Sequence, residues 1–182
     1  MKKIFLISGF AQHGKDSTAN FLKQKLLGKS LIIHNADYLK FICKEYLEWD
    51  GSKDEYGRTL LQKTGTENTK IKLNKPFFWI EKVCDVIEIT QDLYDYYMIP
   101  DIRFKSEIYY PLARFPDNVI TIRIHRLNFD NGLNEEQKNH ISEIELKNFK
   151  HDIDVYSKSG LNNLESEVNM LVKNLKEKGL IN

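Results

Sequence analysis

Gly9, Gly14 and Lys15 stand in the spacing G-x-x-x-x-G-K close to the start of the chain. This is a P-loop spacing, which requires a strand before it and a helix after it. Glycine at both ends allows backbone angles and close approaches that a Cβ would block. Such a loop, with Ala11, Gln12 and His13 between the glycines, turns its N–H groups inward as a nest, and the helix that follows adds partial positive charge. Lys15 adds a cation long enough to reach terminal phosphates. The stretch through Ser17 and Thr18 is therefore expected to hold a polyphosphate. One position departs from the pattern: Asp16 follows Lys15, where Ser or Thr normally binds Mg²⁺. A carboxylate is also a hard-oxygen ligand for that ion, directly or through water. As an alternative, Asp16 is only an acid favoured by the helix dipole.

Further along, Tyr96 to Asp101 is an apolar run ending in an acid, followed by Arg103 and Glu107. Asp101 is placed to hold Mg²⁺ in the Walker B manner, opposite Asp16. Arg103 reaches a phosphate bidentately, and Glu107 orients it. A strand end followed by a surface ion pair is the competing reading. Arg123, His125 and Arg126 end the clearest strand of the chain, and cations there are expected to contact phosphate during transfer. Asp37 closes a short polar cluster after another strand. It either faces a second substrate or caps the next helix. In the polar stretch from Lys53 to Lys70, Arg58 would hold a monophosphate and Gln62 a base; a solvated helix followed by a Thr-Gly-Thr turn explains the same composition. Trp79 is a base-stacking candidate and, more ordinarily, a core residue. His140 is read as structural or substrate-orienting.

These residues need a scaffold, and the patterning supplies one. Strands are expected at Lys3–Ser8, Leu31–His34, Tyr96–Asp101, Asn118–Ile124 and Ile153–Tyr156. Helical patterns run over Lys15–Leu27, Tyr38–Trp49, Phe77–Ile87 and Leu161–Leu180. Leu127 to Ile144 lacks apolar periodicity and reads as a lid or an ordinary long loop. The alternation predicts an α/β fold with a mainly parallel sheet flanked by helices. The 182 residues suit one domain.

Charge and composition exclude several classes. A net charge of +1 gives no basic field for coating a nucleic-acid polymer. Cys43 and Cys84 are too far apart for a metal or redox motif and are expected to be buried thiols of a reducing compartment. No apolar run approaches the ~20 residues that span a bilayer, and the four apolar residues after Met-Lys-Lys are too few for a signal peptide. A cytoplasmic protein is expected, with no membrane partner and with a homodimer left open.

Taken together, several stretches resemble the deoxynucleoside monophosphate kinases of phages and bacteria, which are adenylate-kinase-like P-loop kinases. They are Gly14-Lys-Asp-Ser17, Asn35-Ala-Asp-Tyr-Leu-Lys40, Gly57-Arg-Thr-Leu-Leu-Gln-Lys-Thr-Gly-Thr-Glu67, Ile99-Pro-Asp-Ile-Arg-Phe-Lys-Ser-Glu107 and His140-Ile-Ser-Glu143. The resemblance covers about the first 160 residues. It implies ATP phosphates on Gly9 to Ser17, and Mg²⁺ beside Asp16 and Asp101. It implies a monophosphate-binding segment over 37–75, with Asp37, Lys40, Arg58, Gln62, Thr66, Glu67, Trp79, Arg103 and Glu107 toward the acceptor. It implies a lid over 126–143 flanked by Arg123 and Arg126. Lys15, Asp16, Asp101, Arg103 and Arg126 become the expected catalytic set. The region between Arg126 and His140 departs from the family pattern, and the strand near Tyr156-Ser157 lacks the Asn expected after such strands. The activity implied is ATP- and Mg²⁺-dependent phosphorylation of a (deoxy)nucleoside monophosphate to its diphosphate. The alternatives are a kinase for another phosphorylated acceptor, of the dephospho-coenzyme A or phosphomevalonate type, and a nucleotide-binding module without turnover.

Overall fold

A computed structural model describes residues 2–52 and 54–182. Lys53, which opens the polar stretch, lies outside the described residues. Five strands form one parallel sheet: β1 Lys3–Ser8, β2 Ser30–Ile32, β3 Tyr96–Ile102, β4 Val119–Arg126 and β5 Ile153–Ser157. Their order is β2-β3-β1-β4-β5, and every pairing is parallel. The expected α/β class and strand positions hold, with ends moved by a residue or two.

The sheet is covered on both faces, as parallel sheets are. All six residues of β1 are buried, and its alternation divides them between two cores. Phe5 and Ile7 face α1 (Lys15–Lys25) and α8 (Leu161–Glu177), packing with Leu22, Val168, Leu171 and Leu175. Ile4 and Leu6 face the other side with Ile80, Val83, Cys84 and Ile87 of α4 (Phe78–Ile89) and Ile108 of α5 (Ser106–Arg114). Both cysteines are buried and free, as expected.

A third, smaller core gathers Leu39 and Cys43 of α2 (Asp37–Tyr46) with Trp49 and Trp79. It supports the segment between β2 and α4. There α3 (Glu55–Gln62) starts on Asp54, whose carboxylate accepts the Gly57 N–H at 2.7 Å. The helix does not end in a Thr-Gly-Thr turn. It continues over Lys63–Lys72 as a π-helix, a form often found at functional sites. Gly65 makes this possible by packing, since a Cβ there would lie 2.5 Å from Leu39 Cδ2. The Gly65 carbonyl also accepts the Trp79 indole N–H at 2.9 Å.

The stretch after β4 contains two short helices, α6 (Glu135–Asn139) and α7 (Ile141–Ile144). Asn134 and Gln137 form a reciprocal capping box on α6. Helices this short carry no apolar period, which is why the pattern read as loop. Among the described residues no helix is long and apolar enough to cross a membrane.

Leu175 is fully buried between α8 and the sheet. Leu175→Ala should lower unfolding stability by about 2–5 kcal/mol, measured by urea denaturation.

Candidate functional site

β1 is the middle strand, with β3 on one side and β4 on the other, so the loop at its carboxyl end lies where open α/β sheets bind ligands. Gly9 has φ 148°, and a Cβ on it would meet the Ile124 carbonyl oxygen at 2.7 Å. Gly14, at φ 94°, is the N-cap of α1 and offers no side chain to cap it. The first N–H groups of α1 are thus left for a ligand. Lys15 folds back over the loop, donating to the carbonyls of Gly9 (3.0 Å) and Phe10 (2.9 Å). Burial and the nearby Arg103 guanidinium push its pKa down to about 7.

His13 is the loop residue nearest the far side. Its Nδ1 accepts the Arg126 N–H at 3.1 Å, and its ring packs edge-on against Phe10 and Phe129. Burial and Lys15 lower its pKa to about 4. Arg126 stacks its guanidinium 3.6 Å from the Phe129 ring and donates to the Gln12 carbonyl and Ser159 Oγ. Together Gln12, His13, Gly14, Ser17, Arg126 and the 157–164 turn line a cavity of about 230 Å³ beside the loop. Ser157, which ends β5, and Lys158 wall this cavity without the Asn expected after the strand. Thr18 takes no part: its fully buried hydroxyl donates to the Gly14 carbonyl within α1.

The acids are arranged differently from expectation. Asp101, at the end of β3, accepts the backbone N–H groups of Asn35 (2.7 Å) and Ala36 (2.9 Å). Both carboxylate oxygens therefore anchor the start of α2, which has no side-chain cap of its own. The Walker B reading set Mg²⁺ on this carboxylate; in this structure Asp101 holds a loop. Burial raises its pKa, opposed by those two N–H groups. Asp37 does not cap α2 either. It is the first residue of the helix, accepts the His34 N–H at 2.9 Å and pairs with Lys40 at 3.3 Å. His34 lies between Asp37 and Asp16, with Nε2 3.0 Å from Asp16 Oδ1. Its hydrogen bonds to Asp16 and then Asp37 raise its pKa to about 10, making it a fixed cation. Burial alone would raise the Asp37 pKa, but His34 holds it well below the usual carboxylate range.

Asp16, 74% exposed at the start of α1, has the chemistry for Mg²⁺. One or two carboxylates with substrate phosphates are the usual set for that ion. Among the described residues no group of three or more His, Cys, Asp or Glu side chains is gathered as a closed metal site.

Glu107 is buried and accepts the N–H groups of Arg103 (2.8 Å) and Phe104 (3.1 Å) while pairing with Lys70. It fixes the turn that presents Arg103, so it orients the arginine through the backbone and is not exposed to an acceptor. Lys70 lies 3.6 Å from the Phe104 ring, which completes this buried knot. The Arg103 side chain itself pairs with Glu143 of α7. Arg123 is withdrawn from phosphate altogether. It is buried, donates to the Leu146 carbonyl and lies over the Phe10 ring.

The 37–75 segment is less convergent. Lys40 and Gln62 are partly buried, while Arg58 and Glu67 are exposed. Thr66 is buried in the π-helical packing, and Trp79 is core, spent on Gly65. Glu67 and Arg103 both lie near enough to His140 to act on its charge, which links this segment to the stretch after β4. Three participants went without a role in the sequence: His34, Lys70 and Glu143. Only Glu143 carried a signal, its place in the family-like His140–Glu143 stretch.

No family model matches the chain, and no curated protein matches it. Solved structures match the fold. Shikimate kinase from Aquifex aeolicus is 15% identical, with a TM-score of 0.52 over 97% of this chain and 98% of that one. Dephospho-CoA kinase from Campylobacter jejuni is 20% identical, with a TM-score of 0.54 over 98% and 100%. Thymidylate kinase from Candida albicans is 16% identical, with a TM-score of 0.53 over 96% and 92%. The chain therefore has the fold of P-loop kinases, shared by enzymes named for different acceptors.

Gly9→Ala should destabilise the fold, since the clash is with the Ile124 backbone carbonyl; thermal melting of the variant beside the native protein checks it. The depressed His13 pKa sets a pH dependence. Between about pH 6.5 and 4 the unfolded chain takes up a proton that folded His13 refuses, so stability is full above 6.5 and falls toward 4. Urea unfolding across this range should show a steeper loss for the native sequence than for His13→Gln.

Proposed function

We propose that this protein transfers the γ-phosphoryl group of ATP to a (deoxy)nucleoside monophosphate, with Mg²⁺. The observation that carries the reading is the convergence of Lys15 and Arg103, cations from two different elements, beside an uncapped helix N-terminus. Such a group of donors favours a polyanion. The cavity lined by Arg126 and the 157–164 turn is suited to the nucleoside of the donor. Asp37, Lys40, Arg58 and Gln62, on the β2–α4 side, are suited to the acceptor. The motifs shared with monophosphate kinases favour this acceptor class over others found on the same fold.

In the reaction, an oxygen of the acceptor phosphate bonds to the γ-phosphorus. The bond to the β–γ bridging oxygen breaks, and ADP leaves with the electron pair. Lys15 and Arg103 stabilise the charge on the transferring group, and Arg126 orients the donor. Asp16, with the phosphates, would hold Mg²⁺, which supplies charge neutralisation. Little covalent chemistry is asked of the protein, so position and electrostatics dominate. No strong base is needed, and burial, by lowering the pKa of His140, makes it a weak one.

The test is ADP release with dAMP, dCMP, dGMP, dTMP and their ribose forms, alongside dephospho-coenzyme A and phosphomevalonate. Stimulation by one or more monophosphates is expected, and stimulation only by another acceptor would reassign the substrate. Lys15→Ala should lose about a hundredfold to a thousandfold in rate in the same assay. Near-native turnover by that variant would remove Lys15 from the mechanism.

A further inference from the structure

Glu143 of α7 places a carboxylate against the two kinds of donor that a phosphate would use. Oε2 accepts the Ala11 N–H of the P-loop at 3.1 Å, and Oε1 pairs with the Arg103 guanidinium. The Glu143 side chain is only 7% exposed, so this carboxylate is not a surface acid that happens to lie nearby. Its neighbours hold the segment down. The Glu145 carboxylate accepts the Lys105 N–H at 2.7 Å, and the Leu146 carbonyl accepts from buried Arg123. On the other side of the loop, Gln12 Nε2 donates to the Asn131 carbonyl at 3.1 Å. The stretch between β4 and β5 is thereby fastened across the mouth of the nest, with one negative charge inserted into it.

We propose that Glu143 is a built-in anion that takes the place of a nucleotide phosphate and keeps the lid stretch closed over the loop. The inference rests on the reading of the loop as a nucleotide site. A polyphosphate brings more charge and more acceptor oxygens than a carboxylate, so it displaces Glu143 from Ala11 and Arg103. Breaking the ion pair opposes binding, and Glu143 thereby sets how much nucleotide is needed to open the site. Arg103, released from Glu143, becomes available to the transferring phosphoryl group. A charged group buried beside its partner makes this contact strong enough to matter.

Glu143→Gln keeps the shape and removes the charge. Calorimetric titration with ATP, and separately with inorganic pyrophosphate, should show roughly tenfold tighter binding to the variant than to the native protein, the factor set by a charge-assisted hydrogen bond. Equal or weaker binding by the variant would overturn the proposal and make Glu143 a group that supports the bound state. Hydrogen exchange on the native protein provides a second measure that does not depend on the variant folding. Amides of residues 141–146 should exchange faster when ATP is added, and unchanged or slower exchange would count against displacement. Failure of either protein to bind ATP or pyrophosphate would also defeat it, because no anion would then compete. The tighter binding seen without any monophosphate-stimulated turnover would leave the latch standing and remove the proposed reaction instead.

Discussion

Positive charge gathered beyond the carboxyl end of β1 is the constraint on which the rest of the site depends. Amides of the loop, the uncapped start of α1, Lys15 and Arg103 all face one region, and like charges held together in a dry site repel. Burial first, and then the neighbouring Arg103 guanidinium, lowers the pKa of Lys15. The protein meets this repulsion in two ways. Lys15 turns onto carbonyls of its own loop, and Glu143 supplies a carboxylate from the stretch after β4. A bound polyphosphate would satisfy all the same donors at once, so the site is organised around an exchange of anions.

Around this centre, acids act on the backbone more than on ligands. Asp101 ties the end of β3 to the start of α2, and Glu107 ties the following turn to itself and to Lys70. Each secures a piece of chain that carries a charged side chain toward the loop. Glu107 is buried and Asp101 half-buried, and a carboxylate withdrawn from water with two N–H donors is a rigid joint. His34, a lasting cation between Asp16 and Asp37, joins α1 to α2 in the same fashion. The scaffold thus fixes positions through charge, while the two cores on either face of the sheet supply the bulk of stability.

The likeness to shikimate, dephospho-CoA and thymidylate kinases is one of fold, at identities of 15–20%. On its parallel sheet this chain hangs the π-helical stretch Lys63–Lys72 and the two short helices after β4. On the proposed function, those segments bear on which acceptor is taken and when the site opens.

The G-x-x-x-x-G-K spacing and the short apolar runs determined the loop, the strands and the parallel α/β class, because glycine angles and hydrophobic periods are local properties. Roles that depend on partners distant in the chain were decided by tertiary structure alone. Arg123 looked like a phosphate ligand at a strand end until the 146 carbonyl closed on it. Asp101 looked like a metal ligand until two amides 65 and 66 residues away occupied it. Trp79 left the candidate pocket for the core because Gly65 lets the π-helix approach it. Glu143 is one acid among many in the sequence; only the folding of its helix over the loop brings it to Ala11 and Arg103. A residue type states what a side chain can bind, and the packed chain chooses which partner arrives first.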